Sequence, residues 1–320
     1  MLRYVAHRLL LAIPTLIGVA VITFFILRVV PGDIVAAKMR SDGAQVTEEV
    51  IERERARLGL DEPISAQFIK WMTGLVRLDL GKSMWTERPV IEEIAARFQL
   101  TFQVALMATI VACCLAIPFG TMAALFRGNW FDAFVRLFAV AGLAVPSFWF
   151  GMLILLGLLL TIGTLPPIIF TPIYRDPLAN LWQLIWPALA VGYRFSAVLT
   201  RIVRSSLLEV LGEDYIRTAR AKGVYESVVV RRHALRNALL PAVTIIGLEF
   251  AFLLGGLVVT EQVFNLNGLG KLFVQSISRH DFTLIQGMVM VFASFYIVAN
   301  LVIDLLYAVL DPRIRYGRGK

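Results

Sequence analysis

Asp-Tyr-Ile-Arg-Thr-Ala-Arg-Ala-Lys-Gly, residues 214–223, is a short charged segment between two long apolar runs. It continues as Val-Tyr-Glu-Ser-Val-Val-Val-Arg-Arg (224–232) and His-Ala-Leu-Arg-Asn-Ala-Leu-Leu-Pro (233–241). This composition favours a helix that stops at Gly223, with Pro241 beginning the next apolar run. We therefore expect a charged helix at a membrane surface, where a soluble partner can press on a chain that otherwise lies in lipid.

The composition around this segment is that of a membrane protein. The 320 residues are 58% hydrophobic and only 17% charged, whereas a soluble domain averages about 45–50% apolar and about 25% charged residues. Long uncharged runs predict an all-α polytopic fold. The adjacent Cys113 and Cys114 and three scattered histidines indicate neither a disulfide framework nor a metal site. The formal charge of +8 indicates cytoplasmic loops facing anionic membrane lipid, and we expect no nucleic acid partner.

The N-terminal third combines a span with a polar insertion. Leu9 to Val30 is long enough to cross roughly 30 Å of hydrocarbon and too long for a signal peptide, so residues 1–30 predict a retained span with its N-terminus inside. Residues 31–97 predict a helical insertion outside the membrane. In it, Thr47 begins one helix that stops at Gly59, and Pro63 opens an amphipathic helix that lies flat on the membrane or packs on the spans. A small domain with its own function is the alternative.

Residues 98–310 predict the remaining transmembrane domain, which makes six spans in all. A cytoplasmic N-terminus then puts the loop 201–240 and the basic tail 311–320 in the cytoplasm. The charges agree, since residues 201–236 hold eight Lys or Arg against four Asp or Glu, and basic residues favour the inside. The five later spans are Phe98–Phe126, Leu137 to about Ile162 with an interruption at Pro146, Leu178–Leu199, Pro241–Thr260 and Phe282–Ile303.

The sequence presents no catalytic set. It has no Ser/His/Asp arrangement of plausible spacing and no His/Cys cluster. Gly268-Leu269-Gly270-Lys271 resembles the end of a phosphate-binding loop, but Asn265 and Leu272 stand where that motif needs Gly and Ser or Thr. We predict that the chain is not an enzyme, binds no cofactor and does not bind ATP itself.

The charged segment remains the strongest functional signal. Its small residues, Ala219, Ala221 and Gly223, allow another backbone to approach closely, and its long-stemmed cations can reach acidic or carbonyl groups of a partner. The alternative is a solvated basic face that touches lipid headgroups.

Several motifs in order along the chain resemble the inner-membrane permease subunits of ATP-binding-cassette (ABC) importers, in the dipeptide/oligopeptide/nickel branch, and specifically the first of the two permeases. The coupling motif of that family is Glu-Ala-Ala, three residues, then Gly; here Arg217-Thr218-Ala219 precede Gly223, so Arg replaces Glu and Thr replaces the first Ala. Asn267 also departs from the usual Pro. The other similar motifs are Pro31-Gly32-Asp33, Leu58-Gly59-Leu60-Asp61-Glu62-Pro63, Asp79-Leu80-Gly81-Lys82-Ser83, Gly268-Leu269-Gly270 and Asp311-Pro312-Arg313-Ile314.

This resemblance implies the type-1 permease fold in a bacterial inner membrane, with residues 31–97 on the periplasmic side, and a set of partners. A second homologous permease shares the path, two cytoplasmic ATPases that use ATP-Mg dock on the coupling helices, and a periplasmic binding protein delivers peptides or similar small solutes. Tyr215, Thr218, Ala219 and Lys222 recur at helical spacing, so one face can enter an ATPase cleft. The residues implied in coupling are Asp214, Tyr215, Arg217, Thr218, Ala219, Arg220, Lys222 and Gly223.

Two ionisable residues lie within predicted spans. Arg194 and Glu249 each cost about 2.5–3.5 kcal/mol on insertion scales, so they should face protein or water. Either they line the solute path, or they pair with each other or with the second permease.

A stand-alone secondary transporter or channel is the alternative function. Such a protein is expected to contain inverted repeats or a chain of buried ionisable residues, and the sequence shows neither clearly. The lack of a catalytic set disfavours a membrane-embedded enzyme.

Overall fold

A computed structural model of the chain describes residues 2–29, 35, 47–57 and 59–310. Secondary structure in these residues is helical apart from a single bridge between Lys82 and Pro89, which confirms the all-α prediction. The motif Pro31-Gly32-Asp33, Leu58, and the tail 311–320 with its Asp311-Pro312-Arg313 lie outside the described residues.

The longest connection between helices in the described residues is 162–176, which precedes α7. A π-helical stretch, Val229–Ala234, interrupts α9. The helices are α1 (Leu2–Val29), α2 (Glu48–Arg57), α3 (Ile64–Val76), α4 (Val90–Leu125), α5 (Trp130–Ala144), α6 (Ser147–Thr161), α7 (Pro177–Leu211), α8 (Asp214–Ala221), α9 (Glu226–Ala238), α10 (Leu240–Gly256), α11 (Val258–Val263), α12 (Leu269–Ser278) and α13 (Phe282–Leu310).

Three of the described helices, α1, α4 and α13, are long and apolar enough to cross a membrane. Two bent pairs, α5 with α6 and α9 with α10, raise this number to five if each pair is one span. The predicted fourth span lies in α7, which is absent from this set. Polar side chains such as Asn180 and Gln183 are buried in α7, and a polar side chain that packs against protein does not have to face lipid. The six-span count stays a prediction.

The predicted third span proves to be two helices. Helices α5 and α6 meet at 100°, where Val145 is extended (φ −89°, ψ 121°) and Pro146 precedes the first residue of α6. Proline disfavours a helical conformation in the residue before it, so the break falls at Val145. The predicted second span, which starts at Phe98, is closer to the structure. It lies in α4, which runs without a break from Val90 and therefore begins within the predicted insertion.

The chain divides into two compact units. The first contains the residues up to Thr101 together with Asn267–Ile297. Its Asp281 carboxylate is buried and accepts hydrogen bonds from the Ser83 hydroxyl and from the Met84 and Leu284 backbone N–H groups, which fixes the loop before α4 to the start of α13. The apolar core of this unit consists of Val90, Ile94, Leu269, Leu272, Leu284 and Met288.

The second unit contains Phe102–Leu266 and the residues from Val298 onward. In its centre the backbones of α4 and α7 approach closely, because a Cβ placed on Gly192 would lie 2.8 Å from the carbonyl oxygen of Ala108. Small residues allow this close helix contact inside membranes. The apolar core beside that contact consists of Ala112, Ala116, Phe195, Leu199, Val203 and Ala242.

Buried amide side chains of α7 hold the proline-rich loop that precedes this helix. The Asn180 Nδ2 donates to the Thr171 carbonyl oxygen (2.7 Å), and the Gln183 Nε2 donates to the carbonyl oxygens of Pro167 (2.5 Å) and Ile169 (3.2 Å). These bonds satisfy carbonyl groups that have no helical partner. The loop is therefore bound to α7 by side chains rather than by secondary structure of its own.

We predict that Gly192→Ala destabilises the second unit. The added methyl group meets a backbone oxygen, which cannot rotate away, so we expect a cost of about 1–3 kcal/mol from overpacking and a lower thermal unfolding midpoint of the purified protein. Gly157→Ala is the matched control, since no atom lies within 4 Å of its new Cβ, and it should leave the midpoint unchanged or raise it. Equal midpoints for both variants would contradict the close approach.

Candidate functional site

Helix α8, the charged helix of residues 214–221, has one fully buried side chain. Ile216 is 0% exposed, and it packs in a cluster formed by Ala124 of α4, Leu207 of α7, and Val229, Ala234 and Ala238 of α9. Burying an isoleucine contributes about 1.5–3 kcal/mol. Ile216 therefore acts as the anchor of an otherwise polar helix.

The end of α8 is set by Gly223, as the sequence predicts. Gly223 has φ +75°, and its N–H donates to the Arg220 carbonyl oxygen (2.9 Å) while the Val224 N–H donates to that of Ala219 (3.3 Å). This pair of bonds is a Schellman motif, which needs a left-handed residue at the position of Gly223. Ala219 and Val224 also pack against the cluster around Ile216, so the motif turns the chain back toward the anchor.

The opposite side of α8 is open. Asp214, Tyr215, Arg217, Thr218 and Lys222 are exposed, as are Arg220 and Ala221. Ala219 is half-buried and faces the anchor instead. The surface available to a partner is therefore centred on Asp214, Thr218 and Ala221, which share one side of the helix at 100° per residue.

Two polar contacts join α8 to α9, and a third lies within α8. Arg220 donates to both carboxylate oxygens of Glu226 (3.0 and 2.6 Å), and these hydrogen bonds hold the pKa of Glu226 below its usual value. The Asn237 Nδ2 donates to the Tyr215 hydroxyl (2.8 Å), and Arg217 forms an ion pair with Asp214 (3.2 Å). Arg220 thus closes the turn between α8 and α9, and its charge is already matched within the chain.

An ion pair with a buried carboxylate escaped the sequence analysis. Arg204 of α7 donates to both carboxylate oxygens of Asp132 (2.7 and 3.0 Å), and Asp132, at the start of α5, is 2% exposed. The Gly128 N–H donates to the same carboxylate (3.1 Å). The pair ties the turn before α5 to α7, just before α7 leads into α8. Its residues lie 72 positions apart, so no sequence spacing connects them.

The two ionisable residues in predicted spans lie apart from this cluster. Arg194 is exposed on α7 and Glu249 is half-buried on α10. Within the described residues, no ion pair joins them and neither forms a hydrogen bond to another side chain. The structure therefore does not bring the two residues together as a pair, and the predictions that they line a path or pair with the second permease stay open.

Comparison with known proteins gives a consistent result along the whole chain. Residues 116–316 match the family described as "Binding-protein-dependent transport system inner membrane component", and residues 1–105 match its N-terminal counterpart. The glutathione transport system permease protein GsiC of Salmonella paratyphi A is 43% identical over 99% of this chain and 100% of its own length, and GsiC of Escherichia coli K12 is 42% identical over the same shares. An inward-facing structure of the MetNI methionine ABC transporter superposes on 69% of this chain and 97% of its own, with a TM-score of 0.53 and 18% identity.

We predict that Asp132→Asn lowers the thermal unfolding midpoint because it leaves the Arg204 charge without its counter-ion. Removing one partner of a fully buried ion pair lowers the free energy of unfolding by about 3–5 kcal/mol, whereas an exposed pair contributes about 0–1 kcal/mol. Because Arg204 is partly exposed, we expect Asp132→Asn to lower the free energy of unfolding by about 2 kcal/mol. Glu226→Gln, which opens the exposed pair with Arg220, is the matched control and should change the midpoint little. Similar shifts for both variants would contradict a structural role for Asp132.

Proposed function

The chain belongs to the family of binding-protein-dependent transport system inner membrane components, the permeases of ABC importers, and we propose that it imports peptides or similar small solutes. The observation that carries this proposal is α8, a charged helix anchored by a single buried side chain between long apolar helices. Its exposed side offers small and cationic residues to a soluble partner. The relatedness to importer permeases along the whole chain supports the same assignment.

The proposed complex lies in membrane lipid and has four kinds of subunit, of which this chain is one. This chain pairs with a second homologous permease, and each of the two carries one cytoplasmic ATPase on its coupling helix. The ATPases use ATP-Mg, and a periplasmic binding protein delivers the solute. In this arrangement the chain spans the membrane six times with both termini in the cytoplasm. Residues 31–97 form the periplasmic insertion, residues 98–310 the permease domain, and loop 201–240 the coupling loop.

Coupling begins at the exposed face of α8. When ATP closes the two ATPases, the cleft that holds this face moves and carries the helix with it. Ile216 passes the displacement to α7 and α9, because its side chain fills the cluster between them. The Asp132–Arg204 pair then makes α5 follow α7. Tightly packed helices move together rather than deform, so the spans tilt as one body. This tilt opens the path alternately to the two sides of the membrane.

The relatives named for glutathione transport point to a class of substrate. We infer that the solute is a short peptide or a peptide-like molecule such as glutathione, which carries both carboxylates and an ammonium group. Arg194 suits a carboxylate and Glu249 suits an ammonium group, so both are candidates for the lining of the path. Discrimination among such solutes resides largely in the separate binding protein.

The first experiment is purification of the tagged chain in mild detergent, followed by reconstitution of whatever co-purifies. Co-elution of a second permease and ATPases, with ATP-dependent uptake of labelled glutathione or a dipeptide once the binding protein is added, is the expected result. A chain that elutes alone and moves solute without ATP would overturn the proposal in favour of a secondary carrier.

We predict that Ala221→Trp weakens ATPase docking. Ala221 is exposed on the open side of α8, and a bulky ring there should block close approach of the ATPase. A penalty of about 1.4 kcal/mol or more corresponds to a loss of affinity of about tenfold or more, measurable by titrating the ATPase onto permease in vesicles. Ala96→Trp adds the same ring to an exposed helical alanine of α4, on the proposed periplasmic side, and should leave docking unchanged. Equal affinities for the two variants would contradict the role of α8.

A further inference from the structure

Helix α3 of the insertion has three different sides. At 100° per residue, Phe68, Trp71 and Leu75 share one side. The second side, next to the first, carries Ile69 and Val76 at about 80–100° from Phe68. The third side lies roughly opposite Phe68 and includes the polar residues of the helix. Its residues are Ala66, Lys70, Thr73 and Arg77, and all four are exposed.

The first side packs against the last turns of α1. The Phe68 ring lies 5.2 Å from the Phe24 ring and 5.8 Å from the Phe25 ring, and the Trp71 ring lies 5.7 Å from Phe24. The Arg28 guanidinium also donates to the Gln67 Oε1 (2.6 Å). Helix α3 is therefore held alongside the end of α1 by ring contacts and one hydrogen bond.

The surface of α1 at this contact is itself open and apolar. Only 11% of the apolar window of α1 is buried inside the protein, and Ile22, Phe25 and Ile26 are each about half exposed. A span with such a surface faces lipid. Since Phe25 touches Phe68, the lipid-facing surface of α1 is continuous with α3.

The second side of α3 continues this apolar surface. Ile69 is 61% exposed and Val76 is 83% exposed. Leu78, just beyond the helix end, is 88% exposed and has φ +59°, a left-handed conformation that leucine rarely adopts. Its N–H donates to the Leu75 carbonyl oxygen (3.0 Å), so the helix end holds an apolar side chain outward. Exposure of the Ile69, Val76 and Leu78 side chains to water is energetically unfavourable, because apolar surface is more stable out of water.

We propose that α3 is an interfacial helix, with Ile69, Val76 and Leu78 in contact with the acyl chains of the leaflet in which α1 ends. The occupant is phospholipid, because the exposed side chains continue the lipid-facing surface of α1. The cations Lys70 and Arg77 lie on the side away from α1, at the level of headgroup phosphates, and α3 has no acidic residue. Long cationic side chains favour this position at a membrane surface. The inference goes beyond solute transport and holds for any solute and for either orientation.

Site-directed spin labelling tests this placement. In a background with Cys113→Ala and Cys114→Ala, a nitroxide is attached at Ile69→Cys or Val76→Cys in the full chain. The complex purified with this chain is reconstituted in vesicles of phosphatidylethanolamine and phosphatidylglycerol. Power saturation then compares collisions with oxygen, which dissolves in lipid, and with a nickel chelate, which stays in water.

The matched controls are Ala66→Cys and Thr73→Cys, on the polar side of the same helix. Oxygen accessibility should exceed nickel accessibility at positions 69 and 76, and the reverse should hold at 66 and 73. Nickel accessibility at all four positions would overturn the proposal and leave α3 in water. Low accessibility to both reagents at 69 and 76 would also overturn it, because a protein subunit would then cover this side.

Discussion

Burial of Ile216 is the interaction on which the proposed function depends. A helix of eight residues is too short to be stable alone in water, and α8 is otherwise polar. One apolar side chain, inserted among Leu207, Val229 and Ala238, gives it a fixed position on the membrane helices. The same contact leaves the opposite side of α8, around Asp214, Thr218 and Ala221, exposed.

The contacts around the anchor form a mechanical connection. Arg220 and Glu226 close the turn after α8, and Asp132 and Arg204 join α5 to α7 a short distance before it. Each is a bidentate pair, which fixes orientation as well as distance. Behind them, the close approach of α4 and α7 at Gly192 leaves no room for one helix to slide along the other. A push on α8 is thus received by several helices at once.

Local features of this arrangement could be predicted from the sequence, and long-range features could not. Composition alone indicates an all-α membrane protein, and Gly223 and Pro63 mark helix boundaries because their backbone preferences act on adjacent residues. The position of Pro146 also predicts an interruption, but its angle of 100° depends on what α5 and α6 pack against. Asp132 gives no local signal for Arg204, since their contact exists only after the chain has folded. The low hydropathy of α7 has the same origin, because polar side chains such as Asn180 and Gln183 find their partners elsewhere in the folded chain.

Gly223 and Arg217 illustrate two kinds of positions within one motif. Gly223 is required by the φ angle of its own backbone, whatever protein binds nearby. Arg217 stands where the family motif has Glu; it is exposed, and its contacts with Asp214 and the Gly212 carbonyl are local. If an ATPase docks on α8 as proposed, a change at Arg217 can be matched by a change on the ATPase, whereas a change at Gly223 alters the backbone of this chain and cannot be matched in that way. The proposed docking helix would then keep a constant backbone while its exposed side chains vary, and it could accept a different ATPase without any change in the membrane domain.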